Sequence, residues 1–270
     1  MEFVDTHCHI QSAGQMSGER TTRELWAKAG DTSVDEIVAR AQEAGVSQMI
    51  CVGCDVADSE LAIECVKTRE NLYASIGIHP HEAQQYTDDQ EALDRFAALA
   101  TAEKVVAIGE CGLDYYYAHS PREQQVKVLE FQLDLAKEHN LPLIFHVRDA
   151  FDDFWPIFDN FKGVRGVLHS FTDNQANLEK AVQNGLYVGV NGIATFAKNE
   201  TQLSMYKLIP LNNLLLETDA PFLTPVPYRG TICEPKHVVL TAEFLASLRG
   251  DTVPEIARAT TQNARQLFSF

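Results

Sequence analysis

The sequence lacks any apolar run of membrane-spanning length, and it does not open with a basic segment followed by an apolar one. We therefore expect no transmembrane helix, no membrane partner, no cleaved leader and a cytoplasmic location. Proline- or serine-rich linkers, low-complexity segments and sharp changes in composition are also missing from the sequence. The 270 residues are expected to form a single domain, 1–270, because α/β barrels of about this size are commonly single domains.

Positive charge is scarce, since 22 lysines and arginines face 38 aspartates and glutamates and the formal net charge is −16. Sequence-independent wrapping of nucleic acid depends on basic side chains that neutralise phosphates, so this composition argues against it. A metal site that binds phosphate locally remains compatible with the composition, because bound cations dominate the charge inside such a site.

A disulfide framework is missing as well. The six cysteines have no regular spacing, and a chain of this size does not need disulfides to stabilise a small core, so reduced thiols are expected. The pair Cys51 and Cys54 has the spacing of a redox or zinc motif. It lacks a second pair, which favours a buried strand end followed by a turn.

What the sequence does contain is a repeated alternation of short β-rich runs with longer amphipathic ones. Eight such runs alternate with segments whose apolar residues recur at helical spacing, which predicts a parallel sheet with outer helices. The runs are 2–7, 47–53, 72–78, 104–110, 142–147, 166–170, 186–190 and 213–218. Eight strand–helix units predict a single (β/α)8 TIM barrel of the α/β class.

Residues of the metal-binding types follow several of these runs. Reactive groups of such barrels lie at the C-terminal ends of the strands. The relevant ends contain His7 and His9, Glu110, His146, His169, and Glu217-Thr218-Asp219. Alone, the two histidines of the first strand fit either a metal site or a hydrogen-bonded loop. Four histidines with acidic residues at one rim exceed what a closed tetrahedral zinc site needs, and predict a two-metal site with Glu110 placed to bridge.

The same stretches resemble a known family. The motifs HCH (7–9), GIHPH (77–81), GECGLDYY (109–116), HVRDA (146–150), HSF (169–171) and ETDAPFL (217–223) resemble the TatD family of metal-dependent deoxyribonucleases, which are amidohydrolase-like barrels. The resemblance implies a hydrolase with two divalent ions that cuts DNA phosphodiester bonds, often from the 3′ end. By motif, it implies six ligands: His7, His9, Glu110, His146, His169 and Asp219.

Within this interpretation, Glu110 bridges two ions of magnesium, manganese or zinc. His7, His9 and Asp219 hold one ion, while His146 and His169 hold the other. Asp219 either takes the proton of the nucleophilic water or serves as a ligand only.

Four further residues are candidates for substrate binding. Arg148 could clamp a phosphate or form a salt bridge at the rim. His81 could contact phosphate or orient a ligand. Tyr115, with the two tyrosines after it, could stack on bases or pack as a wall. Single-stranded DNA or its 3′ ends are the expected partner, acted on by a monomer.

The fourth candidate, Trp26, lies in the insert Gln11–Thr32, which is longer than the family's usual turn. Arg20, Arg23 and Lys28 accompany it, so we predict a lid that grips the strand. The alternative is a surface helix, Arg23 to Ala29, that packs Trp26 on the barrel edge.

Two other functions are compatible with the same barrel. One is a metal-dependent hydrolase of an ester or amide, such as a mischarged aminoacyl-tRNA. Glutamate stands where some relatives carry a carboxylated lysine, which favours the nuclease. The other is a non-catalytic metal-binding protein, whose expected signature is a missing ligand, and no ligand is missing.

Overall fold

The computed structural model describes residues 1–15, 19–30 and 32–270. Eight strands follow one another in a single sheet in the order β1 to β8. Their bounds are Phe3–Cys8, Val46–Val52, Leu72–Ile76, Val105–Asp114, Leu143–Arg148, Gly166–Leu168, Tyr187–Val190 and Leu214–Leu216. The (β/α)8 barrel that the sequence predicts is therefore confirmed.

Helices separate the strands, and the α-helices are numbered here in chain order. Among the described residues, α1 to α11 are Arg20–Lys28, Val34–Glu43, Val56–Val66, Ala83–Tyr86, Gln90–Ala98, Arg122–His139, Phe151–Asn160, Gln175–Gln183, Glu200–Leu208, Val238–Arg249 and Val253–Phe268. None of the helices in the described part of the chain is long and apolar enough to cross a membrane.

Two compact units make up the chain: the first contains Met1–Cys51 and Ser170–Phe270, and the second contains Val52–His169. In the first unit, β1 pairs with β2 in parallel and also meets β8. Cys8 and Ala220 form a bridge, and the Thr6 hydroxyl donates to the Leu216 carbonyl at 3.0 Å. The first and last strands of the sheet are thus neighbours.

Local sequence signals explain several helix ends of the first unit. Ser33 and Glu36 form a capping box at the start of α2, and Thr252 and Glu255 form another at the start of α11. In each, the hydroxyl of the first residue accepts a hydrogen bond from the amide of the glutamate, and the carboxylate of the glutamate accepts one from the amide of the first residue. Two amides that a helix start would leave unpaired are thereby satisfied.

The second unit contains β3 to β6, with β3–β4, β4–β5 and β5–β6 paired in parallel. An aromatic core packs β5 against α7, where the Phe145 ring lies 5.1 Å from Phe154 and 5.9 Å from Phe158. Strand β4 runs on to Asp114, four residues beyond the end that the sequence predicts. Its extension carries the strand past Glu110 and brings Asp114 beside β5.

Candidate metal centre

The first unit brings the two histidines of the HCH motif together with Asp219. The Nε2 atoms of His7 and His9 are 3.2 Å apart, and they lie 3.6 Å and 3.4 Å from Asp219 Oδ1. In a tetrahedral site with bonds of about 2.0–2.1 Å, neighbouring ligand atoms are roughly 3.3–3.4 Å apart. The spacing of this group, called the first cluster below, therefore fits one divalent ion.

Backbone hydrogen bonds hold the first cluster in place. The His9 amide donates to the Ala220 carbonyl at 2.7 Å, and the Asp219 amide donates to the His7 carbonyl at 2.8 Å. Asp219 has a φ of +62°, a left-handed conformation that aspartate adopts more readily than most residues with a side chain. This turn after β8 directs the carboxylate toward the two imidazoles.

Asp5 supports this cluster, and the sequence interpretation missed it. Its buried carboxylate accepts from the amides of His7 (3.2 Å) and Thr218 (2.9 Å) and from the Thr218 hydroxyl (2.6 Å). Burial raises the pKa of Asp5 to about 8, although the bonds from Thr218 and His7 oppose the rise. The signal was available, because Asp5, His7 and His9 alternate along one strand direction.

Glu217 and Asp219, the two acids after β8, have different roles. Glu217 is buried, and its Oε1 accepts from the Ser170 amide at 2.7 Å and from Asn191 Nδ2 at 3.3 Å. A Cβ on Gly189 would lie only 2.3 Å from Glu217 Oε2, so glycine is needed for this approach. Of the two acids, Asp219 is the one that lies within ligand distance of His7 and His9.

The second unit gathers histidines around Glu110, which is 4% exposed. Glu110 Oε1 lies 2.7 Å from His146 Nδ1, 3.6 Å from His79 Nε2 and 3.8 Å from His169 Nε2. Glu110, His146 and His79 form one of the groups compact enough to hold a metal ion. We call Glu110, His79, His146 and His169 the second cluster.

Asp114 is the residue of this region that the sequence interpretation did not single out. It is fully buried, and its Oδ2 lies 3.0 Å from both His146 Nε2 and His81 Nε2. Burial would raise the pKa of Asp114, but the bonds with His146 and His81 outweigh burial and hold the pKa well below its usual range.

His146 thus lies between two carboxylates. Burial lowers its pKa, but the hydrogen bonds to Asp114 and Glu110 prevail and raise the pKa to about 9. The contact of His146 Nε2 with Asp114 fixes the ring orientation, as a carboxylate does for ligand histidines in other metal sites, and Nδ1 beside Glu110 is then the nitrogen that could bind an ion.

His79 differs from His146 because one of its nitrogens is already an acceptor. The His81 amide donates to His79 Nδ1 at 3.2 Å, so a neutral ring carries its proton on Nε2, the atom that faces Glu110. Burial lowers the pKa of His79 to about 4, which keeps the ring neutral. His79 is therefore suited to donate a hydrogen bond from Nε2 to an oxygen rather than to bind a metal through that atom.

The candidate substrate residues of the second unit lie near this cluster to different degrees. His81 reaches it through Asp114. Arg148, at the end of β5, is exposed and lies over the rings of two tyrosines. Tyr115 is half-buried, its hydroxyl donates to Asp153 Oδ2 at 2.8 Å, and the Arg122 guanidinium lies 4.0 Å from its ring centre.

The predicted stacking role of Trp26 requires correction. Trp26 lies in α1, is only 2% exposed, and its Nε1 donates to the His9 carbonyl at 2.9 Å. A base cannot stack on a ring that has no accessible face, so the described geometry favours the alternative, a helix packed on the barrel edge. Of the predicted lid, residues 16–18 and 31 lie outside the described residues.

The chain is similar to known proteins along nearly its whole length. The family model "TatD related DNase" matches residues 4–269. A Bacillus subtilis protein named "Uncharacterized metal-dependent hydrolase YabD" is 38% identical over 268 residues, which are 98% of each chain. An Erwinia amylovora protein named "3′-5′ ssDNA/RNA exonuclease TatD" is also 38% identical, over 87% of this chain and 93% of that one.

Solved structures agree on the fold. The crystal structure of YJJV, a TatD homolog from Escherichia coli K12, matches with a TM-score of 0.85 and 28% identity, over 99% of this chain and 98% of that one. A hydrolase of the TatD family from Entamoeba histolytica also matches with a TM-score of 0.85, at 23% identity and over 99% of this chain and 98% of that one. This match supports the fold alone.

Proposed function

Because the chain belongs to the family of TatD-related DNases, we propose that it is a 3′–5′ exonuclease that hydrolyses phosphodiester bonds in single-stranded or frayed DNA. Membership of the family makes it a metal-dependent hydrolase. The observation that carries the proposal is the convergence of imidazole and carboxylate ligand atoms in two clusters. The choice of substrate is supported by the exonuclease name of the Erwinia relative.

The donor atoms suit divalent ions, because imidazole nitrogens favour zinc and carboxylate oxygens favour magnesium and manganese. His7, His9 and Asp219 would hold one ion, and His146 and His169 would hold the other with Glu110, which we keep as the ligand predicted to serve both. Two bound ions supply a water of lowered pKa, a polarised phosphoryl oxygen and a stabilised leaving oxygen.

The chain's own groups orient the substrate and handle the proton. Asp219, held by its backbone bond to His7, is the proposed acceptor of the proton from the attacking water. His79 presents its Nε2 proton on the side of Glu110 and can donate to a phosphate oxygen there. Asp5 holds the backbone of His7 and Thr218 in the first unit, and Asp114 holds His81 and His146 in the second.

Three of the predicted substrate residues remain part of the proposal. Arg148 meets a phosphate, because its exposed guanidinium offers a planar fork of donors. His81 contacts phosphate from its place on Asp114. Tyr115 forms the wall beside them, with its hydroxyl fixed by Asp153. A single protomer and a cytoplasmic location stay predictions.

A substrate panel tests this proposal. Metal-free protein is supplied with magnesium, manganese or zinc and offered single-stranded DNA labelled at the 5′ or the 3′ end, duplex DNA, RNA and aminoacyl-tRNA. We expect 5′-labelled single strands to shorten stepwise and 3′-labelled ones to release the label as a mononucleotide at once. Hydrolysis of the aminoacyl ester with intact DNA would identify an ester hydrolase on the same barrel and would overturn the proposal.

A further inference from the structure

An exposed group of aromatic side chains follows β4. Tyr116 and Tyr117 are 59% and 52% exposed, and their ring centres lie 4.9 Å apart at right angles. The guanidinium of Arg148 lies 4.1 Å from the Tyr116 ring centre and 4.7 Å from that of Tyr117. The ring of His119 stacks parallel to Tyr117 at 5.8 Å. We call these four side chains the tyrosine platform.

The polar groups of the platform include the two tyrosine hydroxyls and the Arg148 guanidinium. Across residues 1–15, 19–30 and 32–270, the hydroxyls of Tyr116 and Tyr117 have no hydrogen-bond partner, and the Arg148 guanidinium pairs with no carboxylate. A guanidinium that lies over aromatic rings still presents its N–H edge to solvent. The platform therefore combines exposed ring surface with a cation whose donors remain available.

Asp114 connects the platform to the second cluster. Its Oδ1 accepts from the backbone amides of Tyr116 (3.0 Å) and Tyr117 (2.9 Å), while its Oδ2 receives the bonds from His81 and His146. The ring of Tyr117 also meets the His81 ring edge-on at 5.6 Å. One buried carboxylate thus fixes both the backbone of the platform and a proposed metal ligand, which sets the distance between them.

We propose that the tyrosine platform is a nucleotide subsite, in which an unpaired base stacks on Tyr116 and Tyr117 and the adjoining phosphate meets Arg148. The proposal rests on the proposed nuclease function and adds the residues that select its substrate. Aromatic rings stack on any base, whereas a guanidinium forms paired hydrogen bonds with a phosphate. A base within a duplex has its faces covered by neighbouring pairs, so this subsite selects single strands.

The chain offers a matched control for the two tyrosines. Tyr73 lies at the N-terminal end of β3, with the Lys104 ammonium 6.0 Å from its ring centre. It is a tyrosine beside a cation, as in the platform, but at the opposite end of a strand from the ligands of these clusters. Replacement of Tyr73 by leucine reports what loss of any such tyrosine does to the protein.

The test measures stacking directly, in the presence of chelator so that no cleavage occurs. The probe is an oligothymidylate with one 2-aminopurine at its 3′ end, whose fluorescence falls when the base stacks. We expect quenching with the natural protein, with Tyr116→Phe/Tyr117→Phe and with Tyr73→Leu. Tyr116→Leu/Tyr117→Leu should lose the quenching and bind roughly ten- to hundredfold more weakly. Equal quenching by the double leucine variant, or loss in the phenylalanine variant as well, would overturn the proposal.

A second substrate separates this proposal from the nuclease function. Bis(4-nitrophenyl) phosphate is a small activated phosphodiester without a base, so the double leucine variant should hydrolyse it at the natural rate while its KM for oligonucleotides rises. If both substrates lose activity in parallel, the platform is structural and only this inference fails. If the natural protein with metal hydrolyses the small ester but no oligonucleotide, the nuclease function fails, and the subsite fails with it.

Discussion

At the scale of single residues, Asp114 has the most demanding role, because its two carboxylate oxygens serve different parts of the second unit. Asp114→Asn keeps the size but replaces one oxygen by an NH2 group, which would face the imidazole nitrogens or the tyrosine amides, all of which donate. We expect metal affinity or activity to fall about 10- to 100-fold, as when other partners of metal-binding histidines are removed.

Calorimetric metal titration and hydrolysis rates measure this effect. Asp134→Asn is the control, since Asp134 is exposed on α6 and the charge change is the same. Unchanged affinity and rate in Asp114→Asn would show that the buried carboxylate does not position His146.

Glu110 provides a second prediction at this scale. Glu110→Gln preserves the shape of the side chain but removes the charge that faces three histidines. We expect turnover to fall by about a hundredfold or more and the bound metal to decrease, with an unchanged circular dichroism spectrum. The measurements are the metal content of the purified variant, by elemental analysis, and its rate of hydrolysis. Near-normal turnover with full metal content would refute the role of Glu110.

At the level of single residues, the sequence points to side chains that lie close together in the structure, such as His7, His9 and Asp219, but it does not reveal all of the residues that hold them in place. His7, His9 and Asp219 could be located because a histidine or acid at a strand end is visible in the sequence. Asp114 could not, because its function depends on hydrogen bonds to His81 and His146, which are remote in the sequence. Asp5 was overlooked although it alternates with His7 along β1. Trp26 was misassigned because burial of an aromatic in a short helix depends on what that helix packs against.

At the scale of elements, the glycines of β4 explain why its end was predicted too early. Glycine usually weakens a strand, so the segment GECG reads as an ending. In the structure, Gly112 has a φ of +151°, and a Cβ there would lie 1.8 Å from the His146 carbonyl oxygen. The glycine therefore permits the close pairing of β4 with β5 that places Asp114 beside Arg148.

Gly112→Ala tests this pairing. We expect the free energy of unfolding to fall by about 2–3 kcal/mol or more, because alanine adds both backbone strain and a collision with backbone. Gly163→Ala is the control, since Gly163 also has a positive φ, +83°, but open space around it, and should cost only about 1 kcal/mol. Urea unfolding of both variants measures the difference, and equal losses would mean that Gly112 is not needed for the close approach.

Helix α1 gives another prediction at this scale. Trp26→Ala leaves a cavity and removes the hydrogen bond to the His9 carbonyl, so the free energy of unfolding should fall by about 3–5 kcal/mol. Chemical denaturation measures the loss, and Lys28→Ala, an exposed change in the same helix, serves as the control. Unchanged stability with a raised KM for oligonucleotides alone would restore the predicted lid.

At the scale of the whole molecule, the net charge of −16 restricts how the proposed DNA substrate can be bound. A site that depends on ligand clusters and one or two basic side chains neutralises few phosphates. For single strands, the logarithm of affinity falls with the logarithm of salt by about 0.7 per neutralised phosphate, so we expect a slope of roughly −0.7 to −1.4. Fluorescence anisotropy between low and physiological salt measures it, and a slope of about −4 would indicate an extended basic surface.

The whole chain is also where sequence-based prediction succeeds best. Eight strand–helix alternations specify the barrel, because the spacing of apolar residues that distinguishes a strand from a helix lies within each segment. Substrate choice is not local in this sense. It depends on which side chains face one another in the folded chain, as Arg148 faces Tyr116 and Tyr117.

The central claim is that the two clusters hold divalent ions on which DNA hydrolysis depends. The most direct measurement strips the protein of metal with a chelator, verifies its removal by elemental analysis, and then follows hydrolysis of a single-stranded oligonucleotide as manganese is added in known equivalents. The account predicts no hydrolysis by the stripped protein and a rate that rises until about two ions are bound per chain. Full hydrolysis in excess chelator, with no metal detected, would contradict it.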